Sequence, residues 1–394
     1  MNKIIVTLLL CCSAHLTSAQ TADSTEWRNV FTDPQLRNLI GTALEHNADL
    51  RTANLNVEQA DAGLRMARLA MLPSLTVGAE GSLSDTKGQP TQKTYNIPVT
   101  LQWEVDLSGR LRGEKRAALA SYWSTAETER AVRLQLIASV ATHYYTLVMM
   151  DEQLRVTRQS MNNALQTVEV MEALKEVGMQ NEAAVSQARA AYLNIAASEK
   201  GLLQQLKTTE NALMVLIGEK HDSICRTTWG NTDVCIADTT IYAIETLANR
   251  PDVKAAEYAL KAQMAQVNVA RAAFYPQLTI SASAGWTNSV GEIVNPGQIL
   301  LNAIGSLVQP LFNKGQSRAN LRIAKARQEQ ALVAFNKALL AAGGELSDWS
   351  AALRSTACTG PSTPSASAVY STILMATALS CCQPARSVRR TMKW

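Results

Sequence analysis

Glu104 and Asp106 stand two residues apart, the spacing that sets two carboxylates on one face of a strand. Such a pair can divide general-acid and general-base work. Here the neighbours on that face, Asn96, Thr100 and Gln102, are polar and uncharged, so a hydrated wall accounts for the two acids without catalysis. The histidines offer no more. Beyond the leader, His46, His143 and His221 fall on separate segments, with no metal-ligand spacing and no nucleophile motif around them. The residues therefore name no catalytic group, no metal ligand and no cofactor site, and an enzyme is not expected.

The cysteines divide by region. Cys225 and Cys235 share one polar loop and could form a disulfide in an oxidising compartment, or stay as two loop thiols. Cys11 and Cys12 belong to the leader. Residues 1–19 read as a secretory signal: Lys3 supplies charge, Ile4 to Leu10 the apolar stretch, and Thr17-Ser18-Ala19 the cleavage site. Lipid attachment at Cys11 or Cys12 is the rival reading, although Leu10 and Cys11 are not the small residue such processing prefers. No later segment approaches the ~20 apolar residues of a spanning helix. A membrane crossing would need a barrel, because only helices and closed barrels pair every backbone group in lipid.

The elements that position these residues come in two copies. Residues 47–79 recur without a gap at 250–282. Arg68 falls on Arg271, Ala70 on Ala273, Pro73 on Pro276 and Leu75 on Leu278. Each copy is a helical pattern that ends at a proline and runs into an alternating strand. Asp33 is placed to cap a short helix with Leu36, Leu39, Ile40 and Ala43 on its apolar face. After Pro73 the period becomes two, with strands over 74–84 and 95–106. Tyr95, Ile97, Val99, Leu101 and Trp103 face one way, as a membrane-facing set. The second copy predicts strands over 277–287 and 300–311, the last with irregular alternation.

From Gly109 a long helical pattern begins. Val140, Leu147, Leu154, Met161 and Val168 sit seven apart; Met150, Ala164 and Met171 occupy the other seam position, with His143 and Thr157 as polar breaks. Gly178 interrupts it, and Val185, Tyr192, Leu206 and Leu213 carry it back to Gly218. This is a coiled-coil hairpin over 110–217, with a first arm of ~100 Å at 1.5 Å per residue. A linker, 219–239, leads to a second repeat over 240–353, which opens on a short helix at Thr240–Asn249. The second long helix starts near Gly315, with Leu321, Ala324, Gln328, Ala331 and Phe335 along it, and its pattern fades around Ala352–Arg354.

Residues 354–394 hold no Asp or Glu, five Lys or Arg, three Pro and three Cys, namely Cys358, Cys381 and Cys382. Without those five basic residues the formal charge falls from +4 to −1, so the basic balance gives no reason to expect nucleic acid. The neighbouring reading frame across Met375 and Ala376 permits Tyr-Gly-Asn-Ser-Thr, and the tail is read as the product of a frameshift; the alternative is a disordered terminus. Four strands per chain cannot close a barrel, for known spanning barrels need at least ~8. Three chains would supply twelve, closed by cyclic symmetry.

The chain resembles the TolC-like outer-membrane factors, most closely the branch serving RND-type pumps. The resemblance rests on Phe31-Thr32-Asp33-Pro34-Gln35-Leu36, on Trp103-Glu104-Val105-Asp106-Leu107-Ser108-Gly109-Arg110-Leu111-Arg112, on Arg250-Pro251-Asp252-Val253 and on Ala270-Arg271-Ala272-Ala273-Phe274-Tyr275-Pro276. It implies a mainly helical fold with a shared twelve-stranded barrel, and a homotrimeric duct through the outer membrane into the periplasm. It also implies a periplasmic adaptor and an inner-membrane RND-type pump as partners. In the family the hairpin tip meets the adaptor; here the tip reads Val177-Gly178-Met179-Gln180. The family's second hairpin has a return helix that the sequence after 354 does not show, so a truncated, non-functional product is one alternative function. A structural periplasmic coiled coil is another, opposed by the duplicated strands.

Overall fold

The computed structural model describes residues 27–28, 31–84, 92–219, 224–228, 249–287, 298–310 and 312–357. The expected leader, the expected helix at Thr240–Asn249 in all but its last residue, Cys235 and residues 358–394 lie outside them. The chain divides into two compact units, one drawn from 1–53, 129–251 and 341–394, the other from 54–128 and 252–340.

The first unit is built on α1 (Pro34–His46). Its cap is Asp33, whose carboxylate accepts from the Gln35 amide at 2.8 Å. A carboxylate there satisfies an otherwise unpaired amide and favours the positive end of the helix. Leu36, Ile40 and Ala43 form the buried face, as their spacing requires. At the far end Asn47 holds two elements together. Its Oδ1 accepts from the Leu50 amide, starting α2 (Ala48–Leu69), while its Nδ2 donates to the Leu216 carbonyl at 2.9 Å.

Leu216 belongs to α4 (Glu182–Ile217), the return arm of a hairpin whose outgoing arm is α3 (Arg110–Glu176), 67 residues long. The seven-residue seam is real: Val140, Leu147, Leu154 and Val168 are buried on α3, and Val185 and Leu213 on α4. Outside the seam, ion pairs cross between the arms, Arg158 to Glu199 at 2.9 Å and Arg189 to Glu172 at 2.5 Å. Around Val140–Val148 the hairpin thickens into the main core of this unit, joined by Trp27, Phe31, α1 and Ile224.

Gly218 ends α4 in the left-handed region at φ +77, and a Cβ there would lie 2.5 Å from the His46 carbonyl oxygen. Gly178, at φ +76 in the hairpin turn, has nothing within 4 Å of the same position. Gly178→Ala should therefore cost only the left-handed penalty of ~1–2 kcal/mol. Gly218→Ala adds a backbone collision and should lower the melting temperature distinctly further. Equal shifts in a thermal denaturation series would remove the close approach from the account.

The second unit holds the sheet. The duplication is visible in it: α2 and α5 (Pro251–Ala272) are both 22 residues long, and each gives way to a strand just past its proline. The strands are β1 (Ser74–Val77), β2 (Glu80–Ser84), β3 (Gln92–Val105), β4 (Gln277–Thr287) and β5 (Gln298–Val308). All pairings are antiparallel, in the order β1-β3-β4-β5 with β2 also on β3. β1 and β2 are one strand in register, since Val77 faces Val99 and Glu80 faces Asn96. The break lies opposite Pro98, which accepts from the Gly78 amide at 2.9 Å but has no N–H to return. β5 stops three residues earlier than expected, before Gln309-Pro310, for the same want of a donor at a proline. Its alternation reads as irregular because Ile304 and Val308 fall in register with polar residues, Ser281 and Gln277.

α3 and α5 pack closely in this unit. A Cβ at Gly113 would meet Val269 Cγ2 at 2.8 Å, and Ser124 donates to the Ala255 carbonyl at 2.8 Å. α6 (Gln316–Ala357) begins here. Leu321, Ala324, Gln328, Ala331 and Phe335 are its half-buried stripe, while Ile323, Leu332, Val333 and Leu340 stay exposed. The helix continues through Ala352–Arg354 to Ala357.

Candidate functional site

The register gives the sheet two chemically distinct faces. Directly opposed residues of antiparallel strands share a face. Leu101 thus stands beside Leu75 and Ala282, and Ala282 beside Ala303; Val99 stands beside Val77 and Ala284, and Ala284 beside Leu301. One face is apolar across every strand, with Lys93, opposite Leu83 near the loop end of β3, as its charged exception. The other carries Ser74, Thr76, Thr100, Gln102, Thr279, Ser281, Ser283 and Asn302. A soluble sheet with one wet face would bury the apolar one under another layer. Here Leu83 is 76% and Leu301 81% exposed. Tyr95, Ile97, Val99, Leu101 and Trp103 all lie on this apolar face.

Aromatic residues mark both ends of that face. Tyr95 and Trp286 sit toward the hairpin loops and Trp103 toward the helices, ~27 Å apart along the strand at 3.4 Å per residue. Trp103 donates its indole N–H to the Met71 carbonyl at 3.1 Å. An apolar band between aromatic girdles is the pattern of a barrel wall in lipid. Among the described residues no helix is long and apolar enough to cross a membrane.

Glu104 and Asp106 do not form the solvated pair expected on the polar face. Glu104 receives Arg110 at 3.0 and 2.5 Å, and Arg110 also reaches Glu114 at 2.6 Å. Asp106 lies past the end of β3 and caps α3, accepting from the Leu111 and Arg112 amides and from the Arg112 guanidinium. Burial alone would raise the Asp106 pKa. The hydrogen bonds from Arg112 and Leu111 outweigh it and hold the carboxyl below its usual value. With Gly109 at φ +75, the Trp103–Arg112 motif is a strand-to-helix corner locked by two acid–arginine contacts. Sequence reasoning missed this because both partners lie six residues away across a turn whose geometry only the glycine announces.

A second charge cluster was also missed. Arg226 is bound by Asp151 through Nε and Nη2, the latter at 3.0 Å, and by Glu210 at 2.8 Å. Beside it, Thr227 and the Tyr144 hydroxyl both donate to Asp33, at 2.8 and 2.5 Å. Burial, reinforced by the Asp33 carboxylate, pushes the Tyr144 phenol up to about 12, so it remains a donor. The segment 224–228 is thereby strapped across α3, α4 and the cap of α1. Cys225 in that strap is an exposed free cysteine; its suggested partner, Cys235, is not among the described residues.

The hairpin tip is the other candidate contact. Val177 and Met179 are 69% and 72% exposed, with Gly178 and Gln180 between and after them also exposed. The Met179 and Gln180 amides both return to the Leu174 carbonyl, Asn181 caps α4, and Lys175 pairs with Glu182 below the turn. The tip is a well-ended turn that presents two apolar side chains.

Known proteins share this architecture. The outer membrane efflux protein family matches residues 39–219 and 244–357. SilC of Salmonella typhimurium, a probable outer membrane lipoprotein, is 32% identical over 82% of this chain and 71% of its own. TtgF of Pseudomonas putida, a toluene efflux pump outer membrane protein, is 31% identical over 85% and 72%. A crystal structure of CusC, described in terms of folding and transmembrane channel formation, superposes with a TM-score of 0.76 at 25% identity, covering 93% of this chain and 90% of that one. On the duplicated helix–strand unit, the two-faced sheet, the coiled-coil hairpin and this extent of similarity, the chain belongs to the outer membrane efflux protein family.

Proposed function

We propose that the protein works as a homotrimeric outer-membrane duct, passive in itself, for solutes that an inner-membrane RND-type pump delivers through a periplasmic adaptor. One observation carries the trimer: the apolar face extends from β1 to β5, and among the described residues neither outer strand has a partner on its far edge. An open edge in lipid leaves backbone groups unpaired, at several kcal/mol each. Three copies give the twelve strands of a closed wall. Cross-linking in detergent is expected to stop at three chains, and the assembly to conduct in planar bilayers. A conducting monomer would refute it.

The adaptor contact is assigned to Val177, Gly178, Met179 and Gln180. Exposed apolar side chains on a well-ended turn suit a partner's hydrophobic pocket, and none of the described residues covers them. Met179→Asp should abolish drug resistance in a strain lacking its own outer-membrane factor, while leaving trimer yield unchanged. Resistance at the wild-type level would move the adaptor site elsewhere.

A further inference from the structure

We propose that β5 of one copy pairs with the β1–β2 edge of the next in the same register that joins β3 to β4 within a copy, so that Asn302 meets Ser84, Ser306 meets Glu80 and Val308 meets Gly78. The inference rests on the homotrimer reading and adds the residue-level seam between copies.

The two hairpins are superimposable in register. In the first, Ser74 faces Gln102 and Ser84 faces Gln92; in the second, Gln277 faces Val308 and Thr287 faces Gln298. β4 is therefore the counterpart of β1–β2 residue for residue, and β5 the counterpart of the 92–102 stretch of β3. The seam from β3 to β4 joins the second strand of one repeat to the first strand of the other. Between copies the same kind of seam must form, from β5 to β1–β2. Transferring Asn96↔Thr287, Thr100↔Ser283 and Gln102↔Ser281 onto the counterparts yields the three pairs above.

Two physical checks agree. A slip of one residue would put Leu83 on the polar face and is forbidden by the period of two. A slip of two in either direction keeps the faces but sets Glu80 against Ile304 or Val308. Only the proposed register sets a cross-strand hydrogen-bond donor, the Ser306 hydroxyl, opposite that carboxylate. The ladder should end before Pro310, which has no amide to donate.

Cysteine pairs test the seam in the full chain, with Cys225, Cys235, Cys358, Cys381 and Cys382 replaced by Ser. The matched variants are Leu83→Cys with Ala303→Cys and Ser82→Cys with Ile304→Cys. The slipped variants are Leu83→Cys with Leu301→Cys and Leu83→Cys with Gly305→Cys. Neighbouring pairs alternate between wide and close spacing, so one matched pair falls at the close, ~4.5 Å type within disulfide reach, whereas diagonal neighbours at ~7–8 Å do not. On oxidation of isolated membranes, at least one matched pair should give several-fold more covalent dimer and trimer than either slipped pair. Stronger linkage from a slipped pair overturns the register. So does a native trimer, seen by mass in detergent, that neither matched pair links. A protein monomeric by mass and unlinked by every pair overturns the register and the homotrimer together.

Discussion

Ala282→Arg is expected to remove most of the assembled protein from the outer membrane. Ala282 lies midway along β4 on the apolar face, between Leu101 and Ala303. An arginine at the middle of the lipid face of a barrel costs ~2–4 kcal/mol. Threefold symmetry repeats that cost in every copy, so an assembly loses ~6–12 kcal/mol, comparable with the whole stability of a typical domain. Ser281→Arg, one residue earlier, points to the polar face and should leave assembly near wild type. Protease-resistant, heat-modifiable protein in outer-membrane fractions reads both. The opposite order of severity would mean the faces are inverted, with Tyr95, Val99 and Trp103 toward water.

The second large effect is expected at Arg226. Its guanidinium is 16% exposed and bridges Glu210, 11% exposed, and Asp151. Truncation to methionine leaves Asp151 without this cation and Glu210 with only the more exposed Lys207 ammonium, 3.4 Å away. Breaking a buried pair by removing one partner costs ~3–5 kcal/mol, and the greater exposure of Asp151 places this case near ~3. Arg226→Lys should recover little, since one ammonium cannot meet Nε and Nη contacts to two acids at once. Neutralising the acids together with the cation, Asp151→Asn and Glu210→Gln with Arg226→Met, should regain a substantial part. Thermal unfolding followed by helical circular dichroism ranks the set. A triple variant as unstable as Arg226→Met alone would show that Arg226 acts through packing and not charge.

The parts of the fold that were legible in advance are those governed by local period. Pro73 and Pro276 mark the change from helix to strand in both copies, and the side-chain alternation after them groups the same residues on one face as the strand register does. The seam at Val140, Leu147, Leu154 and Val168 follows from sevenfold spacing alone, and the capping role of Asp33 from its place before Pro34. What was not legible depends on contacts far apart in the chain or on a missing donor. Arg226 lies 75 residues from Asp151, and nothing near it announces an acid. β1 and β2 read as one strand because the interruption is written in β3, at Pro98. Glu104 and Asp106 looked alike by spacing, yet only Asp106 lies beyond the strand end, where a free helix terminus can claim it.

The polar face has an electrical consequence. Along the described strands its ionisable side chains are Glu80 and Glu104, and Glu104 is matched by Arg110. Hydroxyls and carboxamides make up most of the rest. Such a wall carries little fixed charge to repel or concentrate either sign of ion. In this stretch the pore should act as a neutral sleeve that sorts solutes by width, with any preference for cations set by one glutamate per copy.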